Sequence, residues 1–163
     1  MKLCKTWLKG SLNWMCIWMC REFGTGNWPP ALQEIIDEFS EIEDQMERLE
    51  ILFDYSEEID QLPPAEWTES TIVHGCQSEA HVKVTFSQEN GFHLVGAADA
   101  KLVEGLIAIT SIGLEGLSLE EVVNFSPDFA SEMGLMNILT PSRANGFRNM
   151  LHKIQEDTKG LKE

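Results

Sequence analysis

The sequence lacks any apolar run near the roughly 20 residues that a helix needs to span a bilayer, and no lipidation or C-terminal address signal is present. Both absences point to a soluble protein. Cations are scarce: 12 Lys and Arg stand against 27 Asp and Glu, a net charge of −15. A surface that acidic repels phosphate backbones and anionic lipid, which argues against nucleic-acid or membrane binding and suits a partner with a basic face; a merely solubilising surface is compatible with the same count. Cysteine is scarcer still. Cys4, Cys16 and Cys20 crowd the N-terminus, and Cys76 is the only cysteine in the last 136 residues. That is no disulfide framework. It favours a reducing compartment, where a lone thiol in a folded domain is either inert packing or a working nucleophile.

What is present fits one domain: 163 residues, 43% hydrophobic and 24% charged, are ordinary for a single globular core. Residues 1–27 do not match the rest. They hold three of the five tryptophans and carry Lys2, Lys5, Lys9 and Arg21 against Glu22, so the remaining 136 residues carry −18. The apolar stretch Met15 to Cys20 is short, Lys9 crowds it and no small-residue cleavage site follows, so it is not a signal peptide. Nothing at zinc spacing completes Cys16-x-x-x-Cys20. The reading is a poorly ordered extension over 1–27 and a domain over 28–160.

Pro29-Pro30 open a helix. Leu32, Ile35, Ile36, Phe39 and Ile42 recur at helical spacing, and Met46, Leu49, Leu52 and Phe53 continue the stripe past a bend at Ser40 to Glu43, as two core-facing helices or one kinked helix. Three short strands follow: Thr71 to His74, Ala80 to Ser87 and Phe92 to Ala97, the last two joined by an Asn90-Gly91 turn. In the second, Ala80, Val82, Val84 and Phe86 share the buried face, while His81, Lys83 and Thr85 face water. Asp99 is placed to cap an apolar, buried helix through Thr110. Ser118 with Glu121 forms a capping box, a short turn of helix is expected around Pro127 to Met133, and Thr140-Pro141 starts a final helix with Phe147, Met150, Leu151 and Ile154 inward. The fold class is α+β, a three-stranded antiparallel sheet with helices packed on one face.

Three blocks carry the chemistry: Gly75-Cys76-Gln77-Ser78; Gly96 to Ala100 running into Gly105-Leu106-Ile107-Ala108; and Leu139-Thr140-Pro141-Ser142-Arg143-Ala144-Asn145-Gly146. In order and separation they resemble the SufE family of sulfur acceptors for cysteine desulfurases, which includes CsdE, over about residues 30–158. The resemblance implies a SufE/IscU-like fold and a persulfide on Cys76. Arg143 and Asp99 carry over as supporting residues. It also implies as partners a pyridoxal-phosphate (PLP) cysteine desulfurase of SufS/CsdA type and, downstream, an iron–sulfur scaffold of SufBCD type. The carrier itself binds no cofactor and turns over nothing alone; PLP stays on the desulfurase. A cytoplasmic site, or alternatively the plastid stroma, and a monomer or homodimer are the accompanying expectations. Many members place an apolar residue and an aromatic where this chain has Ala80 and His81.

The residues agree with that chemistry. A free thiol with pKa near 8.5 is only a few per cent ionised at neutral pH, and the attacking species is the thiolate. A cation such as Arg143 would raise that fraction and hold a persulfide anion, whereas Asp99 would oppose ionisation. His74 could relay a proton or simply face water, and Gln77 and Ser78 would shape the loop by local hydrogen bonds. One domain cysteine can carry sulfur but is poorly equipped to build a cluster, and His74, Cys76, His81 and His93 match no standard metal spacing. A free-standing cysteine hydrolase, or an acidic interaction module with a passive cysteine, are the other classes.

Overall fold

Backbone hydrogen bonding settles how the chain is divided. The structure is a computed structural model that describes residues 27–162; the expected extension, apart from Asn27, lies outside them, as do Cys4, Cys16 and Cys20. The first apolar stripe forms two separate helices, α1 (Pro30–Ser40) and α2 (Gln45–Tyr55). Asp44 separates them by accepting from the amides of Met46 and Glu47 at 2.7 and 3.1 Å, a cap that starts a new helix. Arg48 Nε fixes the turn by donating to the Ile42 carbonyl. Leu32, Ile35, Ile36, Phe39 and Leu52 are buried. Met46 and Phe53 are not: they are 65% and 40% exposed, because the new helix starts in a different rotation and only Leu52 turns fully inward.

The sheet has two strands, β1 (Ala80–Ser87) and β2 (Gly91–Ala98), paired antiparallel with Ala80 opposite Ala98 and Ser87 opposite Gly91. Gly91 enters its strand at φ +76°, the left-handed residue that a three-residue hairpin loop requires. The expected third strand, Thr71 to His74, is reduced to one antiparallel bridge between Ile72 and His81. The physical reason is Gly75, whose φ of +78° turns the chain away from the sheet almost as soon as it has paired.

Helix α3 (Lys101–Leu114) packs on β2, with Gly96 leaving room for Ile107. It is buried along most of its length, as its composition requires. Its cap differs from expectation. The N-cap is Ala100 with no side-chain hydrogen bond, and Asp99 instead donates its backbone N–H to the Glu79 carbonyl at 3.0 Å, extending the sheet pairing by one step. The capping box of Ser118 and Glu121 is present at the start of α4 (Leu119–Val123), and α5 (Asp128–Glu132) follows. The final helix, α6 (Pro141–Gly160), is capped by Thr140 and buries Phe147, Met150, Leu151 and Ile154 against α4 and β1. The inner face of β1 and β2 carries Ala80, Val82, Leu94 and Phe92, all buried.

Two contacts in this scaffold yield measurable expectations. A Cβ on Gly105 of α3 would run into the backbone carbonyl of Leu52, so α2 and α3 meet backbone to backbone. Gly105→Ala should lower the unfolding free energy, measured by denaturant titration, by about 1–3 kcal/mol of overpacking, less the roughly 0.5–1 kcal/mol that Ala gains in a helix. Tyr55, the chain's single tyrosine, donates to Glu38 Oε2 at 2.7 Å and joins α2 to α1. Burial first, then this bond and the neighbouring carboxylates, push its phenol well above its ordinary range. Its stabilising contribution is therefore complete below pH of about 10 and is lost as pH rises further. Tyrosinate absorbance should titrate above the free phenol, and Glu38→Gln should bring the transition down.

Candidate functional site

Cys76 stands at the head of a loop between Val73 and Glu79. The two legs of that loop are joined at the base by Val73 N–H to Ala80 O (2.8 Å) and Val82 N–H to Thr71 O (2.9 Å). Gly75 makes the turn, and the half-buried thiol packs against the hydrophobic core. One face of α6 receives it. Gly146, Asn149 and Lys153, three and four residues apart, lie along that face. A Cβ at Gly146 would sit 2.7 Å from Cys76 Sγ and 3.2 Å from its Cα. Asn149 Nδ2 donates to the His74 carbonyl (3.1 Å), and Lys153 Nζ donates to the Ser70 carbonyl (2.7 Å).

Beneath the thiol is a cavity of about 10 Å³, walled by Val103 and Leu106 of α3 and by Phe147 and Met150 of α6, with Arg143 on its lining. A space of that size holds about one water molecule. Arg143 Nε is buried and has no hydrogen-bond partner among the described residues. An unmet buried donor costs about 1–3 kcal/mol, more for a charged group, and this one belongs to a residue that lines the cavity.

The structure thus brings Cys76 and Arg143 to one cavity and places the other expected residues around it. His74 is 72% exposed, with Nε2 3.4 Å from Glu69 Oε1, and does not line the cavity; its backbone carbonyl is what α6 engages. Gln77 is exposed and Ser78 half-buried; neither side chain makes the expected local hydrogen bond within the described residues. Asp99 is exposed and meets the loop through its backbone bond to Glu79. His93 bonds Glu115 and Asp60 at the far end of the hairpin, away from the loop. Among the described residues, no three His, Cys, Asp or Glu side chains stand together as metal ligands.

Sequence reasoning missed Asn149 and Lys153, and it quoted Gly146 only as part of a motif. The available signal was helical spacing: 143, 146, 150 and 146, 149, 153 are two adjacent stripes of one helix. It also put His81 in water. His81 is 3% exposed, because Trp67 folds over that face of β1 with ring centroids 4.9 Å apart.

Gly146 offers a direct check of the contact. Gly146→Ala should lower global stability by about 1–3 kcal/mol of overpacking, less the roughly 0.5–1 kcal/mol that Ala gains in a helix. The added methyl displaces the Cys76 loop, so alkylation of Cys76, read on its peptide by mass spectrometry, should be several-fold faster.

Comparison with known proteins shows the family. The family described as "SufE: Fe-S metabolism associated domain" matches residues 33–158. An uncharacterised SufE-like protein of Synechocystis sp. is 37% identical over 128 residues, 78% of this chain and 79% of the relative. SufE-like protein 1, chloroplastic/mitochondrial, of Arabidopsis thaliana is 34% identical over 128 residues, again 78% of this chain, but the match spans only 34% of that longer protein. A solved structure, the solution structure of a hypothetical protein from Thermus thermophilus, superposes with a TM-score of 0.70 at 27% identity, covering 83% of this chain and 99% of the other. With its thiol loop, its apolar cavity and a family match over most of its length, the chain belongs to the SufE family.

Proposed function

We propose that this protein accepts sulfane sulfur on Cys76 from a PLP-dependent cysteine desulfurase, speeds that enzyme by clearing its persulfide, and passes the sulfur to an iron–sulfur assembly scaffold. The observation that carries this reading is the half-buried thiol at a small apolar cavity whose edge holds the unpartnered Arg143 Nε. A Plasmodium vivax relative named cysteine desulfuration protein SufE, 33% identical over 84 residues, supports the sulfur chemistry. That match covers 50% of this chain and 35% of the relative.

The transfer balances without an external oxidant or reductant. The Cys76 thiolate attacks the outer sulfur of the desulfurase persulfide, a new Sγ–S bond forms, the partner's S–S bond breaks, and the partner's cysteine leaves as thiolate. Arg143 stabilises the resulting persulfide anion by a charge-assisted hydrogen bond. The apolar walls limit water and oxidant access to it. Loop residues Gln77 and Ser78, and His74 and Asp99 beside them, contact the desulfurase when the loop enters its site. PLP belongs to the partner. In this chain Lys83, Lys101 and Lys159 pair with surface carboxylates, and Lys153 is held by Ser70 and Asp157. On this reading the carrier has no turnover of its own. The working compartment is a reducing one, cytoplasm or plastid stroma; among the described residues no helix is long and apolar enough to cross a membrane.

The test is intact mass after incubation with a cysteine desulfurase and L-cysteine. Wild type should gain the mass of one sulfur atom, reversibly with reductant, and Cys76→Ser should gain none. Arg143→Leu should slow loading about tenfold or more, the scale of one hydrogen bond to a charged group. No gain on wild type, with a desulfurase active on another acceptor, would overturn the reading.

A further inference from the structure

His81 is the one buried histidine of the described residues, and it lies on the face of β1 opposite the cavity. Its ring, carried by the outgoing leg of the Cys76 loop, meets Thr71 on the incoming leg and Glu79 next to it on its own leg. Nδ1 lies 2.9 Å from Thr71 Oγ1 on the incoming leg, and Nε2 lies 3.1 Å from Glu79 Oε1 on the outgoing leg. A carboxylate only accepts, so Nε2 carries a ring hydrogen and donates it to Glu79. Thr71 is itself fixed: its Oγ1 accepts the Thr68 amide at 3.0 Å and lies 2.9 Å from the Glu66 carbonyl. Trp67 stacks on the imidazole at 22° between planes, and its indole Nε1 is anchored by donating to the Leu62 carbonyl at 3.1 Å.

We infer that His81 is a positioning residue, a side-chain clamp that ties the two legs of the loop together and holds Cys76 against its cavity until the loop opens. The inference rests on the reading of Cys76 as the sulfur acceptor. Two backbone hydrogen bonds close the loop base; the His81 ring, carried by the outgoing leg, adds one side-chain link across that base, to Thr71, and a second along its own leg, to Glu79. A residue that merely filled the space under Trp67 needs no hydrogen bonds; a phenylalanine would serve. The clamp has unequal halves. The Thr71 bond is buried, whereas Glu79 is 55% exposed, so its link is partly offset by water.

His81→Phe keeps a ring beneath Trp67 and removes both links; Glu79→Gln removes the carboxylate from an exposed position. Alkylation of Cys76 by iodoacetamide in the free protein, read on the Cys76 peptide, should rise about fivefold in His81→Phe, the scale of one net hydrogen bond. Glu79→Gln should give a smaller rise, and the double variant should match His81→Phe alone, since both changes release one clamp. In the desulfurase assay, the KM for the carrier should fall by the same factor as alkylation rises with kcat unchanged, because apparent affinity scales with the fraction of open loop. A purely structural defect would not produce that matched pair of changes. Unchanged alkylation in both single variants, strictly additive effects, or a higher KM would overturn the clamp. If His81→Phe fails to fold, Thr71→Val, which removes the hydroxyl that His81 meets across the base, carries the test, and an unchanged alkylation rate there overturns it. Absence of sulfur loading on the wild type would instead count against the acceptor reading, since the alkylation series needs no desulfurase.

Discussion

The missing side chain at Gly146 is the constraint on which the site depends. Cys76 Sγ occupies the place where a Cβ of α6 would otherwise be, so the thiol can lie against the core only as long as α6 keeps its rotation and its height. The helix is held accordingly. Thr140 caps it, Pro141 sets its first turn, and Phe147 meets Phe129 edge to face with centroids 5.7 Å apart. A rotation large enough to remove Gly146 from beneath the sulfur would also withdraw Phe147, Met150 and Ile154 from the core, where burial of each such side chain contributes about 1.5–3 kcal/mol. Core packing thus fixes the position of a loop that has little regular structure of its own.

The site departs from good packing in two ways, and both lie next to the sulfur. A small cavity remains beneath Cys76, and Arg143 Nε has no partner among the described residues. Either alone weakens the folded state: a void forfeits dispersion contacts, and an unmet donor retains its desolvation cost. Elsewhere among the described residues most demanding positions are satisfied, as where Gln155 serves the carbonyls of Val122 and Phe125 or Thr158 returns its hydroxyl to Ile154; Glu132 Oε1 is the other buried atom left without a partner. Local exceptions to otherwise consistent packing are expected at functional sites.

Features governed by neighbours in sequence were legible in the sequence. The proline-led starts of α1 and α6, the Ser118 capping box, the buried apolar helix α3 and the glycine turn before Cys76 each depend on a few adjacent residues. The features that failed depend on segments distant in the chain. His81 alternates with Val82 along β1 and reads as water-facing; its burial follows from where Trp67 folds, which no period-2 pattern encodes. Asp99 is a favoured capping residue in a plausible position, yet pairing with Glu79 claimed its backbone for the sheet and moved the cap to Ala100. Met46 and Phe53 fit a helical stripe, but the Asp44 cap reset the helix that carries them. Arg143 reached the site by its motif; Asn149 and Lys153 became visible only once α6 lay against the loop.

Charge is distributed to suit the same arrangement. The chain is strongly acidic, and a thiolate or persulfide anion in a uniformly negative body would be disfavoured by the field of the whole. The acidic residues of α1 and α2 (Glu34, Asp37, Glu38, Glu47, Glu50 and Asp54) are opposed there by Arg48 alone. Helix α6 reverses the balance, with Arg143, Arg148, Lys153 and Lys159 against Glu156 and Asp157. Cys76 therefore rests on a helix of net positive charge, and Arg143 of that helix is among the residues lining its cavity. Screening over roughly 8 Å at physiological salt makes the near helix count for more than the distant acidic ones. The acidic surface can then serve solubility or a basic partner without setting the charge environment of the sulfur, because the helix that shapes the cavity also supplies its local charge.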